Sequence, residues 1–92
     1  MKKSNIMKTF EEQFNQILIE KFFVAEDDIL DNSRFLVELN FELIDIVNFI
    51  IEVQNKFKVV IPRHDVKHVL TVGGAKMYIK QRLKVYNYDY NN

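Results

Sequence analysis

Glycine and proline are scarce in this chain, with two Gly and one Pro among 92 residues. Folds built from many short strands need such residues at their turns, so the scarcity favours a mostly helical chain over a sandwich or a barrel. A chain of 92 residues can form one small hydrophobic core and has no room for a second. We therefore predict a single all-α domain over residues 1–92, with an ordered core over about residues 8–85.

The periodicity of the apolar residues predicts four helices. Thr9 and Glu12 have the spacing of a capping box and begin a first helix, Phe10–Phe22, with one apolar face. A second helix lies in the segment of residues 40–57, with residues 43–57 placed on it. Pro62 precedes a short third helix over about residues 64–70, because proline is tolerated in the first turn of a helix.

Thr71 can cap the fourth helix, in which apolar residues recur at helical spacing up to Leu83. Residues 86–92 lack this periodicity, and we expect them to form a flexible tail.

A long, acidic connection joins the first two helices. Residues 25–33 contain turn-forming residues and two apolar residues, Ile29 and Leu30, which we expect to pin the loop to the domain. Loops of this length are uncommon in small domains and often have a function. The loop lacks the glycine and the terminal glutamate of a calcium-binding EF-hand, so we interpret its acidic side chains as solvated.

The second helix carries more apolar surface than one core contact requires. At about 100° per residue, one arc contains Ile46, Phe49, Ile50, Val53 and Phe57. A second arc, called the apolar strip below, contains Leu43, Ile44, Val47 and Ile51. Together they span about 220°, twice the usual stripe of about 100°. Either the long loop covers the strip through Ile29, Leu30 or Phe35, or a partner docks on it.

Several short motifs resemble the acyl carrier proteins and the related peptidyl carrier domains. The resemblance runs without gaps over about residues 24–79, and its motifs are FLVEL at 35–39, ELID at 42–45, FKVVIP at 57–62, TVGGA at 71–75 and YI at 78–79. Their order and spacing are specific, although each motif alone is not. The resemblance implies a bundle of four helices with a short third helix and a long loop between the first two.

Members of that family carry an Asp-Ser-Leu motif at the start of the second helix, and the serine holds a phosphopantetheine arm. The corresponding residues here are Glu42, Leu43 and Ile44. A leucine side chain has no oxygen to form the phosphodiester, so we expect no phosphopantetheine and no other cofactor. The two serines of the chain, Ser4 and Ser33, lie outside any such motif.

The resemblance also implies a docking surface, because carriers use apolar residues at the positions of Ile44, Val47 and Ile51, flanked by acids, to bind partner enzymes. Leu43 enlarges this surface. We therefore predict six partner-binding residues: Glu42, Leu43, Ile44, Asp45, Val47 and Ile51. The third-helix region departs from the acidic character of the family, because it carries Arg63, His64, Lys67 and His68 with only Asp65 against them.

Net charge and residue types exclude several other functions. The total is zero, but residues 1–10, 11–45 and 46–92 carry net charges of +3, −8 and +5. The basic residues of the last segment are spread singly and match no nucleic-acid motif, so we expect no nucleic-acid binding. His64 and His68, spaced i and i+4, would share one face of an α-helix, but no third metal ligand is evident, and we predict no metal site.

The chain contains no Cys, which excludes disulfides and thiolate zinc sites and favours the cytoplasm. No signal peptide or membrane span is evident, and no nucleophile has a base beside it.

We therefore predict a non-enzymatic interaction module of acyl-chain metabolism (fatty acid, lipid or polyketide). Its partner would be an enzyme of that metabolism or a paralogous carrier. Two alternatives remain open. The chain is a working carrier whose attachment site is altered or displaced, or a homodimeric helical adaptor unrelated to acyl transfer.

Overall fold

The computed structural model describes the backbone of residues 8–91 and the side chains of residues 8–83. Three α-helices occupy this range: α1 (Phe10–Phe22), α2 (Leu43–Phe57) and α3 (Val72–Asn91). A 3₁₀ turn (Glu26–Asp28) and a 3₁₀ helix (Arg63–Val69) lie in the connections. The prediction of an all-α bundle with a short third helix is therefore confirmed, and the fourth predicted helix is α3.

Helix α1 has the predicted bounds because its first turn is capped as the sequence indicated. The Thr9 hydroxyl accepts a hydrogen bond from the Glu12 N–H at 3.1 Å, and the Glu12 carboxylate accepts one from the Thr9 N–H at 3.0 Å. These reciprocal bonds satisfy two N–H groups that a helix start leaves unpaired.

Helix α2 begins at Leu43, inside the predicted segment of residues 40–57 and at the start that the resemblance implied. Asn40 adopts a left-handed conformation with φ 61°, which Asn tolerates better than most residues and which no α-helix continues. Phe41 is buried in the core, and Glu42 is the N-cap residue, whose N–H donates to the Asp45 carboxylate at 2.9 Å. Lys58, with φ 57°, ends the helix.

The third helix has 3₁₀ geometry, and this changes the reading of its two histidines. With about three residues per turn, positions i and i+4 are separated by about 120° around the axis. His64 and His68 therefore do not share a face, and the prediction that they do was wrong. Both side chains are exposed. Among the described residues, no three or more potential metal ligands form a group.

Helix α3 is capped by Thr71, whose hydroxyl accepts from the Gly74 N–H at 3.0 Å, as predicted. The helix continues to Asn91, beyond the end near residue 85 that apolar periodicity indicated. Its last turns contain no Gly or Pro that would stop it. Flexibility of residues 86–92 stays a prediction, and Asn92 lies outside the described residues. No helix in the described part of the chain is both long and apolar enough to cross a membrane.

Phenylalanines form most of the contact between α1 and α2. The Phe10 ring lies 5.0 Å from that of Phe57, and Phe14 packs edge-on against Phe49 at 5.7 Å. Phe22 lies 5.1 Å from Phe41, just before α2 begins. The two helices therefore run antiparallel, and the end of α1 lies beside the start of α2.

The long loop is tied to the start of α3. The Phe35 N–H donates to the Leu70 carbonyl at 3.0 Å, and the Gly73 N–H donates to the Asp31 carbonyl at 2.8 Å. A Cβ atom on Gly73 would lie 2.9 Å from that same oxygen, so only glycine fits this approach. The loop thereby holds the Phe35 ring 4.8 Å from Phe49 in the core.

Ile29 packs against the core, as predicted for an anchor of the loop. Leu30 is 57% exposed, so the prediction that it also anchors the loop was wrong. Its backbone is held by the turn around Ser33, and this turn directs the side chain outward.

Candidate partner-binding surface

The start of α2 presents Leu43 to solvent. The residue occupies the first helical position, directly after the N-cap Glu42, and its side chain is 73% exposed. The Asp45 carboxylate, one turn later, accepts the Glu42 N–H and completes the cap. The position that the resemblance assigns to a serine therefore holds an apolar side chain that contacts mostly water.

The other members of the apolar strip continue this surface along α2. Leu43, Val47 and Ile51 are spaced by four residues and lie on one ridge of the helix, with Ile44 beside them. Their exposed fractions range from 73% at Leu43 to 46% at Ile51. The ridge from Leu43 to Ile51 is about 12 Å long.

The loop does not cover this strip, so the first of the two explanations for it was wrong. Phe35 is fully buried in the core, Ile29 packs partly buried against that core, and Leu30 points into solvent. The four apolar side chains remain exposed in the described structure. An exposed apolar patch on a small domain is typical of an interaction site.

The serine and threonine hydroxyls in the described part of the chain, those of Ser33, Thr9 and Thr71, all make local hydrogen bonds. Ser33 is buried, donates to the Asp28 carbonyl at 2.8 Å, and accepts from the Leu30 N–H at 3.3 Å. Thr9 and Thr71 both accept cap hydrogen bonds at helix starts. Ser4 lies outside the described residues. Leu43 supplies no oxygen, so the residues at this site do not fit the attachment of phosphopantetheine.

Opposite charges flank the two ends of α2. Glu42 and Asp45 lie at its start, whereas Lys56 and Lys58 lie at its end.

The Gln54 side chain accepts the Ile61 N–H at 2.8 Å, which fixes the segment that leads into the 3₁₀ helix.

The one acid of the 3₁₀ helix, Asp65, faces α3, whereas Arg63 and Lys67 of the same helix are exposed. The Tyr78 hydroxyl donates to the Asp65 carboxylate at 2.6 Å, and Arg82 donates to both groups. The Tyr78 hydrogen bond lowers the pKa of Asp65, while burial raises the pKa of Tyr78. Arg63 and Lys67 are exposed, so this side of the domain is basic, as the sequence predicted.

Phe23 is an exposed aromatic residue that the sequence analysis did not single out. It follows the last residue of α1, adopts φ 59°, and is 88% exposed. A helix commonly ends on a residue in the left-handed conformation, and that residue is usually glycine. No glycine follows Phe22, and this was the sequence signal that could have identified Phe23. The residue that takes this conformation here is an aromatic one.

Comparison with known proteins finds relatives over most of the chain. No protein-family model matches the chain. It is 37% identical over 73 residues to an acyl carrier protein of Lactobacillus acidophilus, covering 76% of this chain and 91% of that protein. Acyl carrier proteins of Chloroherpeton thalassium and Chlamydia caviae are 33% and 30% identical over 72 and 74 residues, with 90% and 96% of their lengths covered. The chain therefore belongs to the acyl carrier protein family.

Proposed function

We propose that this protein is a non-catalytic interaction module that carries no phosphopantetheine arm and binds a protein partner of acyl-chain metabolism. The partner would be an enzyme of fatty acid, lipid or polyketide metabolism, or a paralogous carrier. The exposure of Leu43 at the position expected for the serine carries this proposal. The binding residues would be Glu42, Leu43, Ile44, Asp45, Val47 and Ile51.

The energetics of burial support docking at the strip. Fully covering a fully exposed Leu-sized or Ile-sized side chain contributes about 1.5–3 kcal/mol, and each strip residue, at 46–73% exposed, would contribute a part of this. Four such side chains would offset part of the cost of association, which amounts to several kcal/mol. Leu43 adds to this free energy of burial, whereas a serine side chain at the same position would not.

Charge supports a docking orientation that uses the first half of α2. Glu42 and Asp45 would attract a basic patch beside the apolar contact. The exposed Arg63 and Lys67 would repel the same patch if it extended to the 3₁₀ helix. A partner that contacts the start of the strip avoids this repulsion.

A paired set of variants tests the surface. We expect Val47→Asp with Ile51→Asp to abolish capture of acyl-metabolism proteins from a lysate of the source cells, measured by affinity purification and quantitative mass spectrometry. The variant should keep its helical circular dichroism, because both side chains are about half exposed. Asn48→Asp with Asn55→Asp adds the same two charges to the polar side of α2 and should leave capture intact.

Unchanged capture by the Val47→Asp and Ile51→Asp variant would contradict the proposed surface. Equal loss in both double variants would show that added charge, rather than the apolar strip, controls the interaction. A mass that rises with concentration in sedimentation would instead favour the homodimeric adaptor, since a two-fold pair could join the acidic start of one α2 to the basic end of the other.

A further inference from the structure

We infer that Phe23 is an anchor of the partner interface and that the partner segment it contacts is a basic amphipathic helix. This inference rests on the proposed function, because it extends the apolar strip to a second element of the fold. Three observations carry it: the backbone conformation of Phe23, its position relative to α2, and the charge around it.

The backbone conformation of Phe23 is unfavourable for its residue type. A positive φ brings Cβ close to the backbone, and for a bulky residue it is a genuine outlier. The helix end requires this conformation, since the Val24 N–H returns to the Leu18 carbonyl at 3.0 Å. Glycine would satisfy the same geometry without the strain.

Packing does not compensate for this strain. The other seven phenylalanines of the chain contact one another in the core, whereas the Phe23 side chain is 88% exposed. Over residues 8–91, two other non-glycine residues have positive φ, Asn40 and Lys58, and their polar side chains suit exposure to solvent. A strained and exposed aromatic residue contributes nothing to the fold that glycine would not, which points to a role in binding.

The position of Phe23 places it at the same end of the bundle as Leu43. Helices α1 and α2 are antiparallel, and Phe22 contacts Phe41, two residues before Leu43. An occupant that covers the start of the apolar strip can therefore reach Phe23 as well.

The charge of the stretch that contains both Phe23 and the start of the strip selects the chemistry of the occupant. From Glu20 to Asp45 the sequence has eight carboxylates and two cations, and one of these cations, Arg34, is paired with Glu38 at 2.6 Å. This field attracts lysine and arginine and repels nucleic acids and anionic lipids. Leu43, Val47 and Ile51 form one helical ridge, and such ridges pack into the grooves of another helix. A helix with an apolar face bordered by basic residues matches both the acidic charge and the apolar ridge.

The test uses a synthetic 18-residue amphipathic helix of Leu and Lys with one Trp. The protein contains no Trp, so emission at long excitation wavelength reports the peptide alone. We expect saturable binding of this peptide with a blue shift of its Trp emission, and no binding of the corresponding Leu and Glu peptide. Phe23→Gly keeps the charge and should weaken binding at least tenfold, while it raises the midpoint of thermal unfolding.

Lys58→Gly is the matched control, because it relieves the same left-handed conformation at the opposite end of α2. It should raise the unfolding midpoint without weakening peptide binding. Val47→Asp with Ile51→Asp should weaken binding as strongly as Phe23→Gly.

The outcomes separate the two proposals. If the double variant weakens binding and Phe23→Gly does not, the inference about Phe23 is wrong and the proposed surface stands. If Phe23→Gly weakens binding and the double variant does not, the strip is not the surface. Absence of binding by the wild-type protein, Phe23-dependent adsorption to phosphatidylcholine vesicles, or Phe23-dependent dimerisation in sedimentation would each overturn the choice of a basic helix as occupant.

Discussion

Helix α2 has two apolar faces of similar composition, and the fold uses only one of them. Ile46, Phe49, Val53 and Phe57 are buried against α1 and the long loop. The apolar strip of Leu43, Ile44, Val47 and Ile51 remains largely exposed on the same helix. Hydrophobicity alone therefore does not decide burial in this chain. The difference lies in the phenylalanines that α1 and the loop contribute to one face, and in the absence of such neighbours on the other.

This contrast separates residues that stabilise the domain from residues available for binding. Removing a buried side chain of α2 should cost stability through lost contacts and a cavity. Changing a strip residue should leave stability nearly unchanged and alter binding instead.

The largest effect is expected from a matched pair of Val→Asp changes. Val53 is fully buried and Val47 is 50% exposed on the same helix. Val53→Asp places a carboxylate among phenylalanines and should destabilise the domain by about 4 kcal/mol or more, enough to unfold many small domains. Val47→Asp should cost less than about 1 kcal/mol. Urea unfolding followed by circular dichroism measures both, and equal losses would contradict the distinction between the two faces.

Phe49→Ala sharpens the comparison by removing the ring at the centre of the buried face. Phe49 contacts Phe14, Phe35 and Phe22. We expect a loss of about 3–5 kcal/mol in the free energy of unfolding, because the large cavity cannot fully collapse. Leu43→Ala on the strip is the control and should stay within about 0.5 kcal/mol. A small loss at Phe49 would mean that the rings do not determine stability.

Gly73→Ala tests how the loop keeps the buried face covered. Glycine to alanine in a helix usually stabilises by about 0.5–1 kcal/mol. Here the new Cβ would meet the Asp31 carbonyl oxygen at 2.9 Å, where α3 approaches the loop that carries Phe35. We expect a loss of about 1–3 kcal/mol instead. A gain in the urea midpoint would contradict the close approach.

The smallest expected effect on stability concerns Glu11, which is linked to the buried face only through Lys76. Its carboxylate lies 2.7 Å from the Lys76 ammonium, which sits over the Phe14 ring, and 2.8 Å from Lys80. Hydrogen bonds from Lys76 and then Lys80 lower the pKa of Glu11 below its usual value of 4.5.

A carboxylate whose pKa is lower in the folded state stabilises the protein at pH values above its pKa in the unfolded state. This stability is lost as the pH falls through its pKa in the folded state. Glu11→Gln should therefore lower the free energy of unfolding, measured in urea near pH 6, by less than about 1 kcal/mol because the pair is partly exposed. It should also reduce the loss of stability below about pH 4.5. An unchanged pH profile would show that the ion pair contributes nothing.

Much of this fold follows from local sequence signals. The capping box of Thr9 and Glu12 predicted both ends of α1 together with its apolar period, and Thr71 predicted the start of α3. The segment predicted for α2 was wider than the helix, because its pattern does not show that Asn40 turns into the left-handed region. The 3₁₀ geometry of Arg63–Val69 was also missed, since seven residues hold too few turns to distinguish a period of 3.0 from one of 3.6.

The candidate site was predicted in part. The angular arrangement of α2 identified the apolar strip, but whether the loop covers it depends on tertiary packing that the pattern cannot supply. Phe23 has no periodic signal, and its significance comes from a backbone angle and an exposure that only the structure provides. Of the two predicted loop anchors, Ile29 was right and Leu30 was wrong. The two residues are adjacent, and the turn at Ser33 decides which of them faces inward.

The absence of an arm on this member of the carrier family is the central claim, and one measurement tests it most directly. The purified protein is incubated with coenzyme A and a broad-specificity phosphopantetheinyl transferase, and its intact mass is recorded beside that of Leu43→Ser. We expect no gain in mass for the wild-type protein and a gain of one arm for the variant, which restores a hydroxyl at the exposed start of α2. A gain of one arm on the wild-type protein would contradict the account.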